Sequence, residues 1–554
     1  MLKNNRPDIV VIGGGSAGCA MAGRLAEQGS LSVLLIEAGS GTPSISTRMP
    51  AMVAKLVMND DFDWCLPVEP DATIGGKAGV WPAGKRLGGG SSINGMMYIR
   101  GHARNYDDWA AAGADGWAYA DCLPYFRRME TNPRPDARFH GQSGPMHVSE
   151  LRLRYPVTDA WIESNSNAGI PRCQDLNGDG RIADGADYVQ ASQRNGDRWS
   201  TADGYVRNRD YGGRLEVSCE HRVRRVIVEN GQAVGVVLAG ADGAVQEVRS
   251  RHGVVLCAGT MGSPKLLMLS GIGPADHLAE TGIDVLRDLP GVGANLQDHV
   301  GLHVVHEVNC RSMITDMRGL GIAKAGLEYL LRKTGLLTTA IGHAQAMIRT
   351  RTGLAAPNIQ LIFAPFAFEM AENGDRPMPK KSSVSTLVAC VHPGARGTIT
   401  LRSADPDAPP VIRHELLGDP DDIEQIVEGM EAVRKIMAQP PISGMIVSET
   451  KPGQDAGGRD AGDRDRLREF VCENAMSLFH PIGTCRMGNG EDAVVGPDLK
   501  VRGVDRLWVA DCSIMPSHVG ANTNATAIMI GDKGADHVLA SLGLRHMLPA
   551  EAAP

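Results

Sequence analysis

The chain has 554 residues, a formal net charge of −8, 43% hydrophobic residues and 22% charged residues. That length exceeds what one hydrophobic core supports, and the composition is that of a globular protein rather than a disordered one. The acidic balance argues against a nucleic-acid binder, and no apolar run reaches the about 18 residues that a membrane span needs.

The N-terminus predicts strand, turn, helix and strand. "DIVVIG" from Asp8 is a β-branched run suited to a buried parallel strand, "GGGSAG" is the turn, "CAMAGRLAEQG" has helical spacing, and "SVLLIEAG" is the next strand. A long mixed stretch follows to about residue 150. Residues 214–258 read as strands broken by turn signals at "ENGQ" and "GADGA", which predicts a β-meander. The "RVRR" run at 222–225 reads as a solvated strand face. Between 300 and 470 the glycine motifs thin out. There "DMRGLGIAKAGLEYLLRKTG" and "DDIEQIVEGMEAVRKIMAQ" predict helices and "RGTITLRS" a strand, and a helix "ATAIMIGDKGADHVLASL" closes the pattern. The texture predicts one domain assembled from separated pieces and a second domain inserted between them.

Eleven cysteines occur without a CxxC pair, and an odd number cannot all pair within one chain, so reduced thiols are expected. The first apolar run is too short for a secretory signal. A cytoplasmic location is the expectation.

Gly13, Gly15 and Gly18 stand in GxGxxG spacing, and Glu37 lies nineteen residues beyond the last of them. The first glycine permits the tight turn, the second lets backbone approach a pyrophosphate, and the third lets the helix pack on the sheet. The helix N-terminus offers N–H groups and a positive dipole end to phosphate, and the acid can bond a ribose hydroxyl. An acid there disfavours a 2′-phosphate, so FAD or NAD is preferred to NADP. A second candidate, "DLNGDGRIADGA", has Asp175, Asn177, Asp179, Gly180 and Ile182 at EF-hand positions, but Ala186 stands where the bidentate glutamate belongs. A turn-rich loop is expected there, with no metal.

"HPIGTCRMG", residues 480–488, leaves three readings of His480: a base, a metal ligand with Cys485, or a packed loop residue. The metal reading fails, because two ligands at that spacing have no second pair nearby. The residues alone leave the other two open.

The stretch "GKRLGGGSSINGMMYIRGHARNYDDWAAAGADGWAYADCLPYF" at 84–126 resembles the first signature of the glucose-methanol-choline (GMC) oxidoreductases, and "GTMGSPKLLMLSGIGP" at 259–274 the second. "RNGDRWSTADGYV" (194–206), "GVGANLQDH" (291–299), "HPIGTCRMG" and "ADCSIMPSHVGANTNATAIMIGDKGAD" (510–536) follow the family's order nearly end to end.

The resemblance implies an α/β protein of mixed α+β character. It would have a Rossmann-like FAD-binding domain from discontinuous segments (1–150, 214–300 and 471–545, with a flavin-covering loop at 84–105). A substrate domain (151–213 and 301–470) would carry an antiparallel sheet flanked by helices. It implies that Gly13, Gly15, Ser16, Ala17 and Gly18 hold the pyrophosphate, and Glu37 and Ala38 the adenosine end. Gly89, Gly90, Ser91, Asn94, Gly95 and Met96 would cover the flavin, and Val223 would meet the adenine with its backbone. Ala510, Asp511, Thr523, Asn524 and Thr526 would be C-terminal flavin contacts. Some relatives join a histidine covalently to the flavin; Ile93 stands there, which implies non-covalent FAD.

The family's catalytic pair maps onto His480 and Asn522. Alcohol oxidation needs a base for the hydroxyl proton while hydride moves to flavin N5, and an imidazole suits that task. A neutral amide opposite can hold the oxygen without competing for the proton. His392 and His518 are expected to be surface or packing residues, with His518 close to the site segment. The implied reaction turns an alcohol into an aldehyde or ketone, with oxygen, a quinone or another acceptor taking the electrons. The alternatives are choline oxidation, which calls for an aromatic cage and a carboxylate, and a lyase with redox-silent FAD. "TGLLTTAIGHAQAMI" (334–348) and "IFAPFAF" (362–368) are candidate apolar pocket walls.

Overall fold

The computed structural model describes residues 6–180, 184–367, 379–453 and 462–544. Its first sheet has five parallel strands in the order Leu215–Ser218, Val33–Ile36, Ile9–Ile12, Gly253–Leu256, Leu507–Val509. Ile9 lies opposite Val33 on one side and Gly253 on the other. The three central strands are buried throughout, which is why their sequences are continuous apolar runs rather than alternating ones. From Ile9–Ile12 the chain moves first to one neighbour and only much later returns to the other. The switch point therefore falls between Ile9–Ile12 and Gly253–Leu256, and ligands of open α/β sheets bind beyond the strand ends at such points.

The turn at that switch requires glycine. Gly13 has φ +96°, and a Cβ on it would sit 2.4 Å from the Cys257 carbonyl oxygen; one on Gly18 would sit 1.8 Å from the Gly13 carbonyl oxygen. The helix Ser16–Glu27 starts here and packs against the long C-terminal helix Asn524–Ser541.

The expected meander at 214–258 is smaller than the sequence suggests. Only Arg222–Glu229, Gln232–Ala239 and Val245–Arg249 form it, while Leu215–Ser218 and Gly253–Leu256 enter the parallel sheet. Turn signals mark strand ends but do not say which sheet each strand joins. Arg222 and Arg224 of the basic run are half-exposed and pair with Asp407 at 3.0 and 3.1 Å.

A second sheet is antiparallel. Ile446–Lys451, Val300–Val308, Ser383–Cys390, Ile359–Ala364, Ala344–Ile348 and Gly185–Tyr188 lie side by side, and Met476–Ser477 also pairs with Val300–Val308. Its alternation sorts two faces. Leu302, Val304, Leu361, Phe363, Val384 and Val388 join the core beneath the helices Pro156–Asn167 and Pro420–Met437. His303, Val305, Glu307, Ile362, Ala364, Ser383, Ser385 and Leu387 face a cavity instead.

The expected helix at 316–335 spans Gly321–Arg332, and that at 421–439 spans Pro420–Met437. Tyr205 and Tyr211 pack in the core of the parallel sheet, while Met96 and Met97 pack in the core of the antiparallel one. The two cores therefore exchange residues across the interval boundaries drawn from the sequence. Among the described residues no helix is long and apolar enough to cross a membrane.

Candidate active site

A cavity of about 2400 Å³ runs from the parallel-sheet switch point to the inner face of the antiparallel sheet. Small-molecule pockets occupy roughly 300–1000 Å³, so this one has room for a dinucleotide cofactor and a substrate end to end.

The dinucleotide end is lined by Gly13, Gly15, Ser16, Ala17, Glu37, Ala38, Val223, Thr523 and Asn524. The flavin-loop residues Gly89, Gly90, Asn94, Gly95 and Met96 line it farther along. Three helices begin at this wall, Ser16–Glu27, Gly259–Leu269 and Asn524–Ser541. Helix N-termini carry unpaired N–H groups and partial positive charge, which suits a pyrophosphate. Ser16 Oγ donates to Asn524 Oδ1 at 2.7 Å, tying the first helix start to the last across 508 positions.

Several residues sit differently from what the resemblance implies. Glu37 accepts from the Gly14 and Gly39 N–H groups at 2.8 and 2.7 Å, so the carboxylate braces the glycine loop while lining the cavity. Burial pushes its carboxyl upward against those backbone bonds. Asp511 lines the cavity and accepts from Gly259 N–H (2.9 Å), Ser263 Oγ (2.6 Å) and Ser513 N–H (2.8 Å), so it caps the second helix from within the cavity wall.

Gly18, Ser91, Ala510 and Thr526 do not line the cavity. Gly18 packs the helix on its turn, Ser91 Oγ donates to the Gly88 carbonyl at 2.6 Å, Ala510 N–H donates to Leu256 at 2.8 Å, and Thr526 Oγ1 meets Tyr106 Oη at 2.8 Å. Each is a neighbour of a lining residue in sequence but is turned into the core. Cys257, Ala258, Gly259 and Thr260, which sequence reasoning did not single out, line the wall at the second helix start. Their signal was the second signature, "GTMGSP", directly after a buried strand.

At the other end, Asn522 Nδ2 lies 3.2 Å from His480 Nε2. His480 Nδ1 lies 3.0 Å from His299 Nδ1, and His299 Nε2 lies 3.1 Å from the Val519 carbonyl oxygen. The hydrogen-bond network assigns the protons. A carbonyl only accepts, so His299 carries its proton on Nε2 and presents a lone pair at Nδ1. His480 must then donate from Nδ1, which leaves its Nε2 lone pair facing the Asn522 amide N–H. Asn522 Oδ1 accepts from Gln360 Nε2 at 3.3 Å, and Gln360 Nε2 also donates to Gln345 Oε1 at 2.8 Å. Every link has one donor and one acceptor, and the unprotonated His480 Nε2, at the cavity wall, accepts from Asn522.

Burial pushes His480 down to about 4 and His299 well below the usual histidine range, so both rings are neutral near pH 7. His480 N–H donates to Asp298 Oδ1 at 2.7 Å, and Ser477 Oγ donates to Asp298 Oδ2. Burial raises that carboxyl to about 7. Phe479 has φ +62°, a left-handed conformation rare for an aromatic residue, immediately before His480. His518 is buried with its ring 3.8 Å from that of His299, which bears out a packing role beside the site; His392 faces Asn105 Nδ2 at 3.3 Å.

Sequence reasoning missed His299, Asp298, Gln360 and Gln345. The first two stand in "NLQDH", a segment already linked to the family. The glutamines could be found only from strand register. Cys485 is buried in the parallel-sheet core, away from His480's cavity face. In the metal-like loop, Asp175 pairs with Arg134 and His140 at 2.7 Å each, and Asn177 Nδ2 donates to the Tyr98 carbonyl at 2.9 Å. Those side chains tie the loop to its neighbours; Ile182 lies outside the described residues.

The candidate pocket walls do meet the cavity. Leu336, Leu337, Ile341, Ile362, Ala364 and Phe366 line it, with Met97, Met313, Met317 and Leu387. Phe368 lies outside the described residues.

Family models described as GMC oxidoreductase match residues 7–301 and 393–531. The chain is 38% identical over 537 residues to the oxygen-dependent choline dehydrogenase of Brucella canis, covering 96% of this chain and 95% of that protein. It is 38% identical over 540 residues to the same-named protein of Rhizobium rhizogenes, with the same coverage. Among solved structures it resembles pyridoxine 4-oxidase from Mesorbium loti, with TM-score 0.85 and 29% identity over 97% of this chain and 100% of that one. It also resembles formate oxidase from Aspergillus oryzae RIB40, with TM-score 0.87 and 26% identity over 97% and 99% of the two chains. The two-sheet fold, the glycine-lined cavity and these matches lead to one conclusion: the chain belongs to the GMC oxidoreductase family, whose members use FAD to oxidise CH–OH donors.

Proposed function

We propose that His480 is the base and Asn522 the oxygen-holding partner in oxidation of an alcohol with an uncharged, apolar body. The observation that carries this is the directed hydrogen-bond chain that leaves the His480 Nε2 lone pair facing the cavity. Bound FAD supplies the hydride acceptor. A substrate hydroxyl set against the two side chains from the cavity takes the place of their mutual hydrogen bond, donating its proton to His480 Nε2 and accepting from the Asn522 amide. The amide then stabilises the developing alkoxide without taking its proton. Gly13, Gly15, Ser16, Ala17, Glu37, Ala38, Val223, Thr523 and Asn524 would hold the cofactor's dinucleotide part. Ile93 lines the cavity and has no nucleophilic atom, which supports non-covalent attachment.

The substrate reading rests on the lining. The alcohol end is walled largely by leucine, isoleucine, methionine, alanine and phenylalanine, with His303, Glu307, Ser383 and Ser385 among them. Of the acids on this side of the cavity, Glu307 pairs with Lys381 at 2.7 Å, and Glu473 stands where Lys77 donates to its backbone carbonyl. A quaternary ammonium would need a free carboxylate and a cage of rings. The names of the relatives support choline as the second reading. All eleven cysteines are free, which fits a reducing compartment such as the cytoplasm.

Anaerobic mixing of the FAD-loaded protein with aliphatic, benzylic and choline alcohols, followed at the flavin absorbance, separates the readings. Apolar alcohols should bleach the flavin faster than choline at equal concentration. Faster bleaching by choline establishes the second reading, and turnover without bleaching makes the protein a lyase. Repeating the panel in oxygen identifies the acceptor as oxygen or another molecule.

A further inference from the structure

The helix Gly321–Arg332 buries only a narrow stripe. Ala325 and Tyr329 face the protein, and Tyr329 Oη donates to Asp197 Oδ1 at 2.5 Å. The opposite face is apolar and open. Leu320 is 85% exposed, Leu331 72%, Leu330 64% and Leu327 59%, while Ile322, 57% exposed, lies on the Tyr329 side at the helix start. No other stretch among the described residues concentrates so many exposed large apolar side chains. At 100° per residue, Leu320, Leu327 and Leu331 fall on one line along the helix, with Leu330 beside them. Such a patch on a water-facing surface marks a place where something else is covered.

The patch borders the cavity. Met317 and Ile322, at the start of the helix, line it, as do Pro379, Lys380 and Lys381 beside them. Arg318 reaches across to donate to the Lys380 carbonyl, joining the two sides of this rim.

The charges around the leucines identify what covers them. Arg318, Lys324, Arg332 and Lys333 flank the leucines in the chain, with Glu328 among them accepting from Thr334 Oγ1 at 3.1 Å, and Lys380 and Lys381 stand across the rim. Lys333 pairs with Asp197 at 3.0 Å and Lys381 with Glu307 at 2.7 Å. Among the described residues, no carboxylate lies within ion-pair distance of Arg318, Lys324, Arg332 or Lys380. A chain with a formal net charge of −8 thus carries a local cationic border around an apolar face. A second copy docked by two-fold symmetry would set this border against itself. An anionic headgroup layer over hydrocarbon complements both features at once. A twelve-residue helix spans about 18 Å and cannot cross a bilayer, so it lies in the interface plane.

We propose that the helix Gly321–Arg332 is a membrane-surface dock for an anionic lipid bilayer, holding the mouth of the active-site cavity against it. An apolar alcohol dissolved in the bilayer then enters past Met317 and Ile322 without crossing water. The docking itself does not depend on which alcohol is oxidised.

Flotation of the FAD-loaded full chain tests this, using vesicles of roughly one-third phosphatidylglycerol in phosphatidylcholine against phosphatidylcholine alone. The wild type should float with the anionic vesicles, less so at high salt, and stay behind with the uncharged ones. Leu327→Asn with Leu331→Asn should lower the bound fraction by about tenfold or more. Neither residue lines the cavity, so bleaching by a short water-soluble alcohol should stay at the wild-type rate and show that the variant is folded. Failure of the wild type to float, equal flotation on both vesicles, or equal flotation of the variant overturns the proposal. So does a wild-type dimer in light scattering that the double variant converts to monomer, because a second copy would then be the occupant.

Discussion

The two ends of the cavity are built by opposite means. The dinucleotide end is made of backbone: glycines, helix N-termini, and carboxylates such as Glu37 and Asp511 that brace that backbone. The alcohol end is made of side chains from chain-distant segments, His299, Gln345, Gln360, His480 and Asn522, linked in one directed hydrogen-bond chain. A backbone site fails through sterics and loses its cofactor. A side-chain site fails through proton placement and keeps it.

The largest effects should come from the backbone end. Gly18→Val drives a side chain into the Gly13 carbonyl, and purified protein should lack nearly all flavin absorbance. A Cβ on Gly15 meets nothing within 4 Å. Gly15→Ala should therefore leave the apoprotein's Tm within about 2 °C of wild type while weakening FAD binding by about tenfold or more. A large loss of apoprotein stability in Gly15→Ala would erase the distinction between packing glycine and ligand glycine.

The next effect belongs to the side-chain end. His480→Ala should retain the yellow cofactor and slow flavin reduction by about 10²–10⁴-fold. Reduction at the wild-type rate in stopped flow would remove His480 from the mechanism.

Smaller still is the change one step back along the chain. His299→Leu leaves the His480 Nδ1–H buried without an acceptor, at a cost of about 1–3 kcal/mol, and frees the ring to adopt the wrong tautomer. Flavin reduction should slow by about tenfold, with FAD content unchanged. His299→Gln, whose amide oxygen can accept, should recover part of the rate. Equal rates for the two variants would show that His299 only fills space.

The smallest effect is on stability. Burial raises Asp298 to about 7, so between about 4 and 7 the folded chain holds a proton that the unfolded chain has released. Its contribution is present at low pH and lost as pH rises through 7. Asp298→Asn removes that dependence. The wild type's Tm relative to the variant should therefore rise by a few degrees between about pH 8 and pH 5. A difference in Tm that does not change with pH would place the Asp298 carboxyl near its ordinary value.

The legibility of the two ends differed for the same reason. Gly13, Gly18 and Glu37 were readable because strand, turn and helix are adjacent in the chain, and their sterics follow from local φ and close approach. Asp511 and Thr526 were placed in the site by family pattern alone; Asp511 lines the cavity while capping a helix, and Thr526 is turned into the core. Nothing in their spacing shows which way a side chain points once helices pack.

The sequence by itself determined the parallel sheet's buried strands, the glycine turn, the family, and the pairing of His480 with Asn522 through that family. Tertiary structure alone decided which nitrogen of His480 faces the cavity. That choice depends on a carbonyl at Val519, a ring at His299 and, through Asn522, two glutamines on neighbouring antiparallel strands. These groups lie up to 220 positions apart along the chain. Local sequence fixes backbone conformation through short-range sterics, but proton direction is set by partners that only folding brings within 3.3 Å.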